Sequence, residues 1–114
     1  MKYLLLVCWD REVMNRQPES REDEAESFPW LDELQARDAW ITGDQLAPPR
    51  RARSVRVRDG KTVVTDGPFA ETKEAVGGFD LIEAGSLEEA VEIAAGHPVA
   101  AMGTIEVRPL WGNG

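Results

Sequence analysis

Residues Tyr3-Leu-Leu-Leu-Val-Cys-Trp9 form an unbroken apolar run, and no other feature constrains the fold as strongly. The run falls far short of the roughly 20 apolar residues needed to span a bilayer. It matches a strand kept from water on both faces. Successive side chains of a strand point to opposite sides, so Leu4, Leu6 and Cys8 share one face and Tyr3, Leu5, Val7 and Trp9 the other. A layer of helices can cover only one of these faces, so the other needs a second cover.

The length of 114 residues predicts a single domain, residues 1–114, large enough for a true core. With 13 Lys+Arg against 21 Asp+Glu, the net charge of −8 excludes broad binding to nucleic acid, which needs a basic face for the phosphates. A content of 42% hydrophobic and 30% charged residues is that of a globular chain. One cysteine, Cys8, cannot form an internal disulfide, and the start of the chain lacks a signal peptide's basic region. A reducing cytoplasm is therefore the expected compartment, with no membrane partner.

The stretch from Asp10 to Ser27 holds five glutamates and aspartates between Glu19 and Glu26 and few apolar anchors, which reads as a solvated loop or an acidic docking surface. Pro29 suits a first helical turn capped by Ser27 or Phe28, and the helix should run to about Asp38. A short strand begins at Trp40-Ile-Thr-Gly43 and ends before Pro48-Pro49. Arg53-Ser-Val-Arg-Val-Arg58 and Lys61-Thr-Val-Val-Thr-Asp66 flank Asp59-Gly60, a two-residue hairpin turn. Pairing outward from it sets Val57 opposite Thr62, Val55 opposite Val64 and Arg53 opposite Asp66, all on one face. That valine face is the one expected to be sheltered. Gly77-Gly78 opens a strand from Phe79 to Ala84, Ser86-Leu-Glu-Glu89 is a capping box, and Leu87, Ala90, Val91 and Ala94 follow at helical spacing up to Gly96. The last strand spans Gly103 to Arg108.

This order predicts an α+β ferredoxin-like sandwich: an antiparallel sheet, two helices on one face and an extra β-hairpin. The uncovered apolar face predicts a homodimer with a cavity between two sheets.

One histidine and one cysteine make no zinc site, and neither a P-loop nor a dinucleotide fingerprint is present. No metal or cofactor is expected. The densest chemistry is Asp66-Gly-Pro-Phe-Ala-Glu-Thr-Lys-Glu74, a charged, aromatic connection between two strands. This segment resembles the signature of the DGPF group in the YCII-related family. The similarity extends to the Met1-Lys-Tyr-Leu-Leu start, Leu46-Ala-Pro-Pro49, Val55-Arg-Val-Arg-Asp-Gly60, Gly77-Gly-Phe79 and Ile105-Glu-Val-Arg-Pro-Leu110. The resemblance implies a ferredoxin-like fold that pairs into a dimeric α/β barrel, in a family of largely unknown function. Broader relatives bring a histidine of the first helix near an aspartate that precedes a late proline. Here that late position is His97-Pro98, while the first helix offers Asp32 and Asp38.

The residues leave two uses for most candidates. His97 with a carboxylate is a sensible general base, or it caps the end of its helix. Asp66, its candidate catalytic partner, is either a strand clamp with Arg53 or, with that arginine, a docking point for a substrate. Phe69 is a wall or anchor, Glu71 and Lys73 are candidate substrate contacts, and Lys73 equally suits plain solvation. The four tryptophans suit core and dimer packing. The leading expectation is a homodimer that binds a small polar or anionic metabolite, with cofactor-free acid–base chemistry through Asp66 and His97 if it is an enzyme. The alternative is a non-catalytic ligand-binding or protein-interaction module.

Overall fold

The computed structural model describes residues 1–17, 29–68 and 72–113. In chain order these form β1 (Lys2–Asp10), α1 (Arg11–Asn15), α2 (Pro29–Ala36), β2 (Trp40–Gln45), β3 (Arg53–Arg58), β4 (Lys61–Asp66), β5 (Glu74–Glu83), α3 (Leu87–Ala95) and β6 (Thr104–Pro109). Strands pair in the order β2-β5-β1-β6, all antiparallel, and β3 and β4 form a separate two-stranded ladder. The architecture is α+β and compatible with the expected ferredoxin-like fold. It has three α-helices among the described residues, one more than the sequence suggested.

The apolar run becomes β1, a central strand. Tyr3, Leu5 and Val7 are buried with Ile82, Leu34, Ala39, Ala90, Ile93 and Ala94 between the sheet and the helices. On the opposite face Leu4 pairs with Leu81 and Leu6 with Phe79. Directly opposed residues share a face, so these four and Cys8 form an apolar strip that stays only half-buried. Helices cover one face of the sheet, and the described residues leave the other without a layer.

Local signals explain where most elements begin and end. Ser86 Oγ accepts from the Glu89 amide at 3.1 Å, and Glu89 reaches back to the amide of Gly85, one residue before the expected partner. Helix α2 stops at Ala36 rather than Asp38. Asp38 turns left-handed at φ 55°, and the amides of Asp38 and Ala39 bond back to Gln35 and Leu34. Helix α1 lies where a loop was expected. Asp10 caps it by accepting from the Val13 amide, and Met14 buries its side chain. Strand β5 starts at Glu74, five residues before Phe79, and takes in the Gly77-Gly78 pair. A Cβ on Gly77 would lie 2.6 Å from Met14 Sδ and 3.1 Å from Trp9 Nε1, so any side chain there would have to push both aside.

The hairpin pairs in the expected register, and Asp59 and Gly60 both take positive φ, as the primed turn requires. Its surroundings differ from expectation. Val55 and Val64 are 62% and 57% exposed, because the ladder stands beside the main sheet rather than under a helix. The expected caps Ser27 and Phe28, and the acidic run from Glu19 to Ser27, lie outside the described residues.

Candidate functional site

His97 follows the Gly96 stop of α3 and precedes Pro98, which holds it in the extended conformation at φ −66°, ψ 136°. This geometry turns the ring back over the next residues. His97 Nδ1 accepts from the Val99 amide at 3.0 Å and so caps the 3₁₀ turn Pro98–Ala101. An accepting Nδ1 carries no proton, which leaves the neutral ring with its hydrogen on Nε2. That nitrogen faces Asp80 Oδ2 at 4.0 Å. The edge of the ring meets Trp30 at 4.8 Å between centroids, and the Trp30 indole donates to the Ile93 carbonyl at 2.7 Å, tying α2 to α3.

Asp80 sits on β5 opposite Leu5, on the face that looks toward the helices. Its other oxygen, Oδ1, accepts from Trp40 Nε1 at 2.9 Å. The side chains of His97 and Asp80 are only 9% and 14% exposed. Burial pushes the Asp80 carboxyl above its usual range, against the lowering effects of the Trp40 hydrogen bond and the His97 charge. Burial likewise pushes the His97 imidazole below its ordinary value, and Asp80 recovers part of that fall. Desolvation outweighs mutual attraction in both groups. The carboxylate that meets His97 is thus Asp80, which the sequence reading passed over.

The other expected site residues lie elsewhere. Arg53 Nε meets Asp66 Oδ1 at 3.1 Å, as the strand register requires, and Asp66 is 88% exposed. A pair this open contributes at most about 1 kcal/mol. Asp66 ends β4, and Gly67 then turns at φ 90°, its amide bonding to Ala52 and its carbonyl to the Ser54 hydroxyl. Phe69 and Glu71 lie outside the described residues. Lys73 is exposed, and its carbonyl accepts from the Arg11 amide at 2.9 Å. This bond brings the described end of the charged loop to the β1–α1 junction. There Asp10, Arg11, Glu12, Thr72 and Lys73 line a recess of about 350 Å³.

A second groove of about 220 Å³ runs between α2 and α3 past Trp30, Glu33, Glu89 and Glu92. Its one cation, Arg37, lies 3.8 Å from Glu89, so this groove is unsuited to an anion. Among the described residues no cluster of three His, Cys, Asp or Glu side chains could hold a metal. No described helix is long and apolar enough to cross a membrane.

The YCII-related domain matches residues 1–112, nearly the whole chain. The chain belongs to the YCII-related family. It is also similar to an uncharacterised protein of Rhizobium meliloti (strain 1021), 47% identical over 68 residues. That match covers 58% of this chain and 55% of the relative, so the chain spans about half the length of the relative it matches.

Asp80 was legible in principle. It is the one charge in Gly77-Gly-Phe-Asp-Leu-Ile82, and a carboxylate inside an apolar strand needs a nearby donor. Trp30 and Trp40 pack against the core as expected; Trp40 also donates to Asp80, and Trp30 touches the His97 ring. Trp111, in contrast, is fully exposed and joins no core.

Proposed function

We propose that this YCII-related protein, of the DGPF type, is a homodimer that binds a small polar or anionic metabolite without using His97 as a catalyst. One observation carries the binding reading: Arg11, Thr72 and Lys73 converge on a single recess, held together by the Arg11–Lys73 backbone bond. The two cations suit a carboxylate or phosphate, while the Thr72 hydroxyl donates to the Glu74 carbonyl, and Asp10 and Glu12, which also line the recess, suit an amine or hydroxyl of the same molecule. A volume of about 350 Å³ is in the range of small-metabolite sites. Pairing of two open sheet faces, in the manner of a dimeric barrel, supplies the missing cover for Leu4, Leu6, Phe79 and Leu81.

Titrating the ¹⁵N-labelled protein with inorganic phosphate and with succinate tests the site. The expected result is movement of the Arg11, Thr72 and Lys73 amides, with affinity falling at least tenfold in Lys73→Ala. Undisturbed spectra at millimolar concentrations of both probes would sink the reading.

The Asp80–His97 contact favours a second reading, acid–base chemistry in the interior. It would run through Asp80 in place of Asp66, because Asp66 is exposed beside Arg53 while Asp80 faces the ring. A probe that moved His97 and Asp80 resonances, leaving Lys73 still, would favour it.

A further inference from the structure

Helix α1 supplies Arg11 and Glu12 to the recess, and it cannot hold that position by itself. Its five residues, Arg11–Asn15, span about 7.5 Å, far below the length at which a helix is stable alone in water. Its start is fixed by the Asp10 cap and by the bond from the Arg11 amide to the Lys73 carbonyl. Its middle is fixed by Met14, the one side chain that it buries. The last carbonyls of a helix have no partner within it, so the far end needs donors from elsewhere.

Arg50 provides them. Its amide donates to Asn15 Oδ1 at 2.7 Å, its Nε to the Asn15 carbonyl at 2.9 Å and its Nη2 to the Gln17 carbonyl at 2.6 Å. One residue thus grips the end of α1 with both its backbone and its side chain. The base of this strut is firm: Pro48 and Pro49 are buried, their rings fix φ, and the 3₁₀ turn Pro49–Arg51 follows directly. A guanidinium holds its donors in one rigid plane, so two bonds to carbonyls set an orientation as well as a distance. Lysine offers a single rotatable ammonium in its place. Arg50 itself is absent from the lining of the recess, which Asp10, Arg11, Glu12, Thr72 and Lys73 form.

We infer that Arg50 is a positioning residue for the recess. It acts through α1: by fixing Asn15 and Gln17 it keeps Arg11 and Glu12 in place relative to Thr72 and Lys73. The inference rests on the reading of the recess as the metabolite site.

Titration with inorganic phosphate and with succinate decides it, in four ¹⁵N-labelled proteins: native, Arg50→Lys, Arg50→Gln and Asn15→Ala. In the native protein the Arg11 and Lys73 amides should move while the Arg50 Nε–H signal stays still. Arg50→Lys and Arg50→Gln should each bind the anion at least fivefold more weakly, with faster amide exchange confined to residues 11–17. A merely structural role would leave the affinity of the folded protein native. Asn15→Ala removes one of the three bonds and should give a smaller loss in the same direction; it carries the test if the arginine variants do not fold. Native affinity in Arg50→Lys, or in Asn15→Ala where the arginine variants are unfolded, overturns the inference and leaves the recess standing. An Arg50 Nε–H signal that moves as far as the Lys73 amide also overturns it, because the guanidinium then meets the anion itself. A native protein that neither anion perturbs overturns the recess and the role of Arg50 together.

Discussion

A neutral imidazole can accept a hydrogen bond at one nitrogen while the other keeps its hydrogen, and His97 accepts at Nδ1. The Val99 amide occupies Nδ1, and Nε2 lies 4.0 Å from Asp80 Oδ2, within reach of its charge but beyond a hydrogen bond. Protonation at Nδ1 would displace the Val99 amide and leave the turn Pro98–Ala101 uncapped. His97 therefore holds a turn at its start with a neutral ring, in place of the cation at a helix end anticipated from sequence. The pH consequence follows from the depressed value of the folded ring. Above the unfolded histidine's value, about 6.5, neither state holds the proton; below it the unfolded chain gains one that the native ring resists. Native stability should fall as pH drops from about 7 toward 5.5. His97→Asn, which can still cap the turn, should lack that fall in urea unfolding followed across this range. Asp80 acts in the opposite sense. Its raised carboxyl favours the native state below about pH 3.9 and loses that advantage as pH climbs through its folded value. By NMR, Asp80→Asn should lower the His97 value further, because the carboxylate raises it, while Asp66→Asn should leave it unmoved.

Elements whose geometry is written within a few residues could be read from sequence. The Asp59-Gly60 turn fixes a register because both positions tolerate positive φ, and Ser86 and Glu89 close a capping box within a single turn. Elements that depend on distant packing could not. Helix α1 has one buried side chain, Met14, and it packs close to Gly77 on β5, more than 60 residues away in sequence. The early start of β5 was hidden by the same glycines, which look like a break in the chain but let β1 and α1 approach. A register shift between Val7 and Cys8 accommodates them. Gly77→Ala tests this coupling directly. The new methyl would press on the flexible end of Met14 and on the Trp9 indole, which should cost about 1–3 kcal/mol in chemical denaturation. Adding Met14→Ala should recover part of that loss by removing the sulfur. A Gly77→Ala protein of native stability would show that α1 is not held by this contact.

At the scale of the whole molecule, the first strand already states the problem that the fold leaves open. A run that is apolar on both faces, placed at the centre of a four-stranded sheet, has one face under helices and the other half-bare. That much follows from alternation and could be read before any coordinates. What covers the other face is a separate matter: alternation calls for a second layer, and a second copy of the chain is the cover proposed for it. Leu6 offers the sharpest test. It lies on the open face between Phe79 on β5 and Glu106 on β6. In a lone chain, Leu6→Lys places its ammonium beside Glu106, a favourable cross-strand pair, so the fold should keep its stability to within about 1 kcal/mol. In a dimer closed through this face the same ammonium would be carried into an apolar seam, at a cost of several kcal/mol. Leu6→Lys should therefore be a folded monomer at concentrations where the native chain is dimeric, as seen by light scattering and by an unchanged far-ultraviolet circular dichroism spectrum. If it dimerises as tightly as the native chain, the open sheet faces do not meet, and Leu4, Leu6, Phe79 and Leu81 must be covered in another way.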